Sequence, residues 1–144
     1  MELNNVYLKS NYQVCAPEYV SNCDEAYSFI NDEIGSSLVE RFLLLCMDYD
    51  YHPINYSILG IGDSEKILVD IGELFRIVLL SGAKHILIAH NHLGTSSLPT
   101  DSDINTTKQI GYISKMLNIE LIDSMVITAN GAWTSIRKYI SELE

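Results

Sequence analysis

The sequence predicts an α/β or α+β fold in which a mixed central β-sheet is sandwiched by helices. Short runs rich in leucine and isoleucine at 40–47, 85–89 and 119–128 indicate buried strands. Segments with helical spacing lie between them, and turns containing Gly, Ser or Pro separate the two kinds of segment. At 144 residues, 47% of them apolar, the chain suits one domain over 1–144 with residues 1–23 as an N-terminal extension.

The first part of the chain predicts an edge element followed by a helix. Residues 3–14 alternate loosely between polar and apolar types and predict one edge strand or a hairpin. Ser21 or Asn22 can cap a helix over 24–34, because a side-chain oxygen there can accept a hydrogen bond from the first turn. Gly35 is a favourable residue to end that helix.

The middle of the chain predicts a strand pair and a crossover helix. Within the strand predicted at 40–47, residues 42–45 are continuously apolar, so we expect both faces of the strand to be covered. A short turn joins it to a second strand at 54–61, which is therefore expected to run antiparallel. A largely apolar helix over 69–80 ends near Gly82 and leads the chain into the strand at 85–89.

The last third predicts one more helix and two strands. Helical spacing covers 101–117, and the apolar run at 119–128 predicts a strand. An Ala-Asn-Gly turn at 129–131 then reverses the chain into a last strand at 132–136. A short terminal helix is expected within 135–143.

The charge balance restricts the classes of function. Nine basic and nineteen acidic residues give a formal charge of −10, which opposes non-specific binding to phosphate backbones. No apolar run approaches the ~18 residues of a membrane span, and the N-terminus lacks the apolar core of a signal peptide. Cys15, Cys23 and Cys46 are odd in number and lack Cys-x-x-Cys spacing, so a cytoplasmic location is expected.

Two histidines after the segment 85–89 form the most informative motif. His90 and His92 are two positions apart, so their side chains leave the same face of an extended chain. Two neutral imidazoles on one face direct nitrogen lone pairs toward one point, which a divalent metal can occupy. His85, five residues before His90, is expected on the opposite face in a structural role.

A zinc site needs a third protein ligand, and a catalytic zinc site leaves its fourth position to water. The next acidic residues are Asp101 and Asp103, after a loop rich in Gly, Ser and Pro. Thr100 is a favourable N-cap, so the first helical turn can bring Asp103 back toward the histidines. Thr100 and Asp103 also fit an ordinary helix start with an acid in its first turn. The two interpretations exclude each other only in part.

The pattern from His90 to Asp103 resembles the motif of JAMM (JAB/MPN-type) metalloproteases: His-x-His, seven residues, Ser or Thr, two residues, Asp. The sequence His-Asn-His, followed by a loop and then Pro-Thr-x-x-Asp, is most similar to the motif of the RadC family. Thr100 stands at the position of the family serine. The family spacing selects Asp103 rather than Asp101 as the third ligand.

The same family has an upstream glutamate at the start of an apolar strand, and Glu40 at the start of 40–47 matches it. The resemblance covers about 24–137, most of the chain. It implies the JAB/MPN (cytidine-deaminase-like) architecture, a mixed sheet between helices, in agreement with the elements predicted above.

The resemblance implies a zinc-dependent hydrolase that cleaves a peptide or isopeptide bond with a metal-activated water. His90, His92 and Asp103 would hold Zn²⁺. Glu40 would accept the proton of the water and deliver it to the leaving amine, and the Thr100 hydroxyl would donate to the developing oxyanion. The expected partner is a peptide or protein substrate, with a homo-oligomer or protein partner left open and no direct contact with nucleic acid or membrane.

The sequence departs from the family pattern at three positions. Leu93 and Gly94 replace the usual Pro and Ser after the second histidine, which affects the loop rather than the ligands. Thr100 adds a methyl group beside the hydroxyl. The helix-hairpin-helix segment of longer RadC proteins has no room here, so a short form is expected. Two other functions stay open: a DNA-repair or mobile-element accessory role, and a non-catalytic protein-interaction module.

Overall fold

The computed structural model describes residues 1–3, 13–62 and 69–141. Most of the predicted strand or hairpin at 3–14 lies outside these residues. In chain order the elements are α1 (Cys23–Ile30), a π-helical turn (Asn31–Gly35), β1 (Glu40–Met47), β2 (Pro53–Gly62), α2 (Ile71–Ser81), β3 (His85–His92), α3 (Asp101–Met116), β4 (Glu120–Thr128), β5 (Trp133–Ser135) and a 3-10 turn (Ile136–Tyr139).

The five strands form one mixed sheet in the order β2-β1-β3-β4-β5. β1 runs antiparallel to both β2 and β3, β3 runs parallel to β4, and β5 returns antiparallel to β4. Because β1 and β3 are antiparallel, the start of β1 lies beside the end of β3, and Phe42 is opposite His90. This arrangement brings Glu40 to the sheet edge where β3 ends.

Alternate side chains of the central strands belong to two separate cores. Leu43, Leu45 and Leu87 pack with buried residues of α1 and the π-helical turn. Leu44 and Ile88 pack with α2 and α3 on the other face. Helices therefore cover both faces of the sheet, as the continuously apolar strands predict, and the predicted sandwich is confirmed.

The helix boundaries follow their caps. Asn22, one of the two predicted caps, accepts a hydrogen bond from the first turn of α1. The helix predicted over 24–34 is observed as α1 followed by the π-helical turn. The helix predicted over 69–80 begins slightly later, because Asp70 adopts an extended backbone and caps its first turn. Gly82 ends it with a φ of 68°, which glycine adopts without steric cost.

The C-terminal segment forms the predicted short helix, in 3-10 form. The helix expected within 135–143 is a short 3-10 turn, Ile136–Tyr139. The buried Asp123 carboxylate on β4 accepts hydrogen bonds from the Ser135 hydroxyl and from the Arg137 backbone N–H, the latter at 3.0 Å. These bonds hold the segment against β4 and keep Ser135 in the sheet. In the described part of the chain, no helix is both long and apolar enough to cross a membrane.

Candidate metal centre

The two motif histidines lie at the end of β3 on the face that α3 covers. Because side chains alternate along β3, both histidines point to the same face as Ile88, which packs in the core covered by α2 and α3. The Nε2 atoms of His90 and His92 are 3.2 Å apart. The His90 ring is buried and nearly parallel to the ring of Phe42, with centroids 6.4 Å apart. This packing fixes the direction of the His90 ring.

Asp103 reaches the histidines from the first turn of α3. The Thr100 hydroxyl accepts a hydrogen bond from the Asp103 N–H, and the Asp103 carboxylate accepts one from the Thr100 N–H. Asp103 Oδ1 is 3.1 Å from Nε2 of His90, and Oδ2 is 3.1 Å from Nε2 of His92. Both interpretations of Asp103 therefore hold together, because one carboxylate closes the capping box and faces the histidines. Asp101 is solvent-exposed.

The spacing of these three side chains fits a tetrahedral zinc ion. Zinc bonds of about 2.0–2.2 Å to nitrogen and oxygen place neighbouring ligand atoms about 3.3 Å apart in a tetrahedron. The two imidazole Nε2 atoms are 3.2 Å apart, and each lies 3.1 Å from a different carboxylate oxygen of Asp103. Among the described residues, His90, His92 and Asp103 form the group whose ligand atoms come close enough to hold one metal ion. Three protein ligands leave the fourth position open.

The loop after β3 selects the tautomer of His92. The Nδ1 atom of His92 is 3.1 Å from the Ser96 backbone carbonyl, which can only accept a hydrogen bond. In neutral His92 the proton is therefore on Nδ1, and Nε2 presents its lone pair to the ligand group. The hydrogen bond to Asp103 raises the pKa of His92, and the Ser96 carbonyl and the charge of Glu40 add to this effect against the opposing effect of burial.

Asp103 is held ionised by the same contacts. Burial by itself would raise the pKa of Asp103, but hydrogen bonds from His90 and His92 and from the Thr100 N–H outweigh burial and lower it well below its ordinary range. The group therefore presents a carboxylate between two imidazoles. A hard anionic oxygen with two borderline nitrogens is a donor set that zinc accepts.

Glu40 and Thr100, the two residues predicted to assist chemistry, line the same cleft as the three ligands. Glu40 is the first residue of β1 and is partly exposed. Its side chain leaves β1 on the same face as Phe42, two residues on, which lies opposite His90. The structure therefore brings all five predicted site residues to one cleft. The other lining residues are Phe42, Val69, Ser102, Thr106, Thr107 and Ser124.

Several of these lining residues were not among the predicted site residues. Thr107 is four residues after Asp103, on the same side of α3, so helical spacing was a signal that could have identified it. Ser124 lies on β4 opposite Ile88. Only the pairing of β3 with β4 places it in the cleft, and no local pattern in the sequence indicates that pairing.

A mixed sheet between helices, with two histidines and a carboxylate at one strand end, defines a JAB-type domain. The chain belongs to the RadC-like JAB domain family, which matches residues 20–141. A UPF0758 protein from Trichodesmium erythraeum is 32% identical over 132 residues, covering 90% of this chain and 54% of the relative. A UPF0758 protein from Finegoldia magna is 29% identical over 115 residues, covering 80% and 51%. The chain spans about half the length of these curated relatives.

Proposed function

We propose that this protein is a zinc-dependent hydrolase of the JAMM type that cleaves a peptide or isopeptide bond. One observation carries the proposal: the Nε2 atoms of His90 and His92, 3.2 Å apart and each 3.1 Å from a carboxylate oxygen of Asp103, share a cleft with Glu40. His90, His92 and Asp103 would hold the ion. When bound, zinc polarises a carbonyl oxygen and lowers the pKa of water to near 7.

Glu40 supplies the proton transfers of the proposed reaction. Its carboxylate accepts a proton as the water oxygen bonds to the carbonyl carbon of the substrate. It then delivers that proton to the nitrogen as the carbon–nitrogen bond breaks. Glu40 suits this role because its carboxylate belongs to a residue that lines the cleft but is not one of the three ligands. The products are a carboxylic acid and an amine.

Thr100 is placed to assist at the oxygen of the substrate carbonyl. Its hydroxyl oxygen accepts the hydrogen bond of the Asp103 N–H, and the hydroxyl proton can be donated at the same time. Thr100 lines the cleft, so we assign this proton to the negative charge that develops on the carbonyl oxygen. Such a donor contributes up to a few kcal/mol to transition-state stabilisation.

The surface around the cleft favours a polypeptide substrate over nucleic acid. Leu38 and Val39 precede Glu40, Leu93 follows His92, and Leu98 lies in the loop before Thr100. All four are exposed, Leu38 at 92% of its surface. Exposed apolar side chains close in sequence to the site residues and a formal charge of −10 suit an apolar segment of polypeptide rather than a phosphate backbone. We place the reaction in the cytoplasm as part of this proposal.

Metal content is the first test. The purified protein is treated with excess zinc, desalted and measured by elemental analysis beside His92→Ala. We expect about one zinc per chain in the wild type and almost none in the variant. His52→Ala is the matched control, because His52 is an exposed histidine and its variant should keep the zinc. A wild type without bound zinc would refute the hydrolase and leave the interaction module as the better account.

Turnover is the second test. A peptide library and isopeptide-linked model substrates are incubated with the zinc-loaded protein and with Glu40→Gln. Loss of the general acid–base should lower turnover by about 10²–10⁴-fold while zinc content stays at one per chain. Equal turnover by the two proteins would remove Glu40 from the mechanism. A salt-dependent shift of DNA by the same preparation would instead support the accessory role.

A further inference from the structure

The side chain of Asn91 connects β3 to the start of β1 in a way that metal binding does not require. Asn91 lies between the two ligand histidines, and strand alternation directs it away from their face. It is 1% exposed. Its Oδ1 accepts a hydrogen bond from the Arg41 N–H at 2.7 Å, and its Nδ2 donates to the Val39 carbonyl at 3.1 Å. The Arg41 N–H can only donate and the Val39 carbonyl can only accept, so the orientation of the Asn91 amide is unambiguous.

These two bonds hold the backbone on either side of Glu40. The pairing between β1 and β3 runs from Met47 opposite His85 to Phe42 opposite His90. Glu40 lies two residues beyond the last of these pairs. There β1 still pairs with β2 on its other edge. On the side of β3, the Asn91 amide takes the place of the β3 backbone, with one bond to the residue before Glu40 and one to the residue after it.

We propose that Asn91 is a positioning residue that sets the place of the Glu40 carboxylate relative to the metal ligands. The inference rests on the proposed function, since it acts through the general acid–base of that reaction. An asparagine meets a specific requirement here, because the site needs one acceptor and one donor on a short side chain. Aspartate offers no donor to the Val39 carbonyl, and alanine offers neither group.

The first experiment compares zinc-loaded Asn91→Ala and Asn91→Asp with the wild type. Both variants keep the three ligands, so each should bind about one zinc per chain. We expect kcat to fall by about 10²-fold in Asn91→Ala, the effect of a displacement of about 1 Å in a catalytic group, with little change in KM. Asn55→Ala is the control, because it removes a partly buried amide contact, to the Ser81 hydroxyl, from β2 of the same sheet. It should leave kcat unchanged.

A double mutant separates positioning of Glu40 from a general structural effect. If Asn91 acts through Glu40, adding Asn91→Ala to Glu40→Gln should cause no further fall in kcat, because the group that it positions is already lost. A full additional 10²-fold fall in the double mutant would overturn the proposal. So would a kcat of Asn91→Ala within about twofold of an active wild type.

Hydrogen exchange tests the same contact without any substrate. The Arg41 amide should exchange at least tenfold faster in Asn91→Ala, while the amides of Leu43 and Leu45, within the pairing of β1 and β3, stay protected. If Asn91→Ala does not fold, Asn91→Asp gives the second measurement. It keeps the Arg41 bond and loses the Val39 bond, so Arg41 exchange should stay near the wild-type rate while kcat falls, and an unchanged kcat would overturn the proposal. Unchanged Arg41 exchange in Asn91→Ala would overturn the proposal. An inactive wild type would refute the proposed function, and exchange would still decide whether Asn91 holds β1.

Discussion

The two ends of β3 both carry histidine, and they use it differently. At the first end, His85 is buried, its Nδ1 is 2.8 Å from the Asp48 carbonyl, and its ring stacks on Tyr51 with centroids 3.9 Å apart. At the last end, the Nε2 atoms of His90 and His92 converge on one carboxylate. At the first end, a backbone carbonyl and a stacked aromatic ring are the partners of the histidine. At the last end, the nitrogens of two histidines are directed at one point.

This difference shows what distinguishes a structural histidine from a ligand. Burial does not separate them, because His85 and His90 are 9% and 5% exposed. The partners do. His85 has a backbone carbonyl as its partner and helps to hold the turn between β1 and β2, whereas His90 has another imidazole and a carboxylate. A cation stabilises the close approach of two nitrogens and an anion, and the described residues at the His85 end form no such group.

The largest effect that sharpens this comparison is on zinc affinity. His90→Ala removes a ligand nitrogen and should weaken zinc binding by more than about 100-fold, since loss of an outer partner of a ligand already costs 10–100-fold. His85→Gln should bind zinc as the wild type does. Competition with a chromophoric chelator measures both affinities. An equal loss in the two variants would mean that His85 supports the metal site.

The next effect is on stability at the first end of β3. His85→Ala removes the ring that stacks on Tyr51 and one of two hydrogen-bond contacts of the Asp48 carbonyl, which keeps the bond from the Tyr51 N–H. We expect the free energy of unfolding of the zinc-free protein to fall by about 1–3 kcal/mol. Urea unfolding followed by circular dichroism measures it. His90→Ala in the zinc-free protein serves as the matched variant at the other end, and a larger loss there would reverse the assignment of roles.

A smaller effect is expected at Thr100, which serves the last end of β3 through α3. Thr100→Ala removes the N-cap hydroxyl and should lower the free energy of unfolding by about 1 kcal/mol. Thr100→Ser keeps the oxygen and should change it by much less. Thermal unfolding of both zinc-free variants gives the comparison. Equal stability of the alanine and serine variants would show that the cap contributes nothing.

The smallest effect is a pH dependence confined to the last end. In the zinc-free protein the pKa of His92 is raised, chiefly by Asp103, so its stabilisation is present below the ordinary histidine pKa of about 6.5. That stabilisation is lost as the pH rises through the raised value. Asp103 has a lowered pKa, so its contribution persists above the ordinary aspartate pKa of about 3.9 and is lost in acid.

Zinc should reverse this trend, because it binds the deprotonated histidines and its affinity grows with pH. We therefore expect the zinc-free protein to lose stability as the pH rises from about 6.5 through the raised pKa of His92, while the gain on adding zinc increases over the same range. Thermal unfolding with zinc and with chelator measures both. His92→Gln should abolish the decline of the zinc-free protein, and an unchanged decline would assign it to another group.

Much of the fold could be predicted from local patterns. Continuous apolar runs identified β1, β3 and β4, and the caps at Asn22 and Thr100 identified the starts of α1 and α3. The short helix expected within 135–143 is present as the 3-10 turn Ile136–Tyr139, but its 3-10 form was not predicted. There a buried carboxylate from β4, distant in sequence, binds the segment, and no local propensity reveals such a partner.

The sequence by itself determined which residues could be ligands, because a two-residue step in a strand places His90 and His92 on one face whatever surrounds them. It also placed Asp103 in the first turn of a helix that Thr100 starts. Only the tertiary structure brought Glu40 to this group. It also placed the Asn91 amide where its two hydrogen bonds reach the residues before and after Glu40. Those contacts depend on the register between β1 and β3, and packing of the whole sheet, rather than nearby residues, decides strand register.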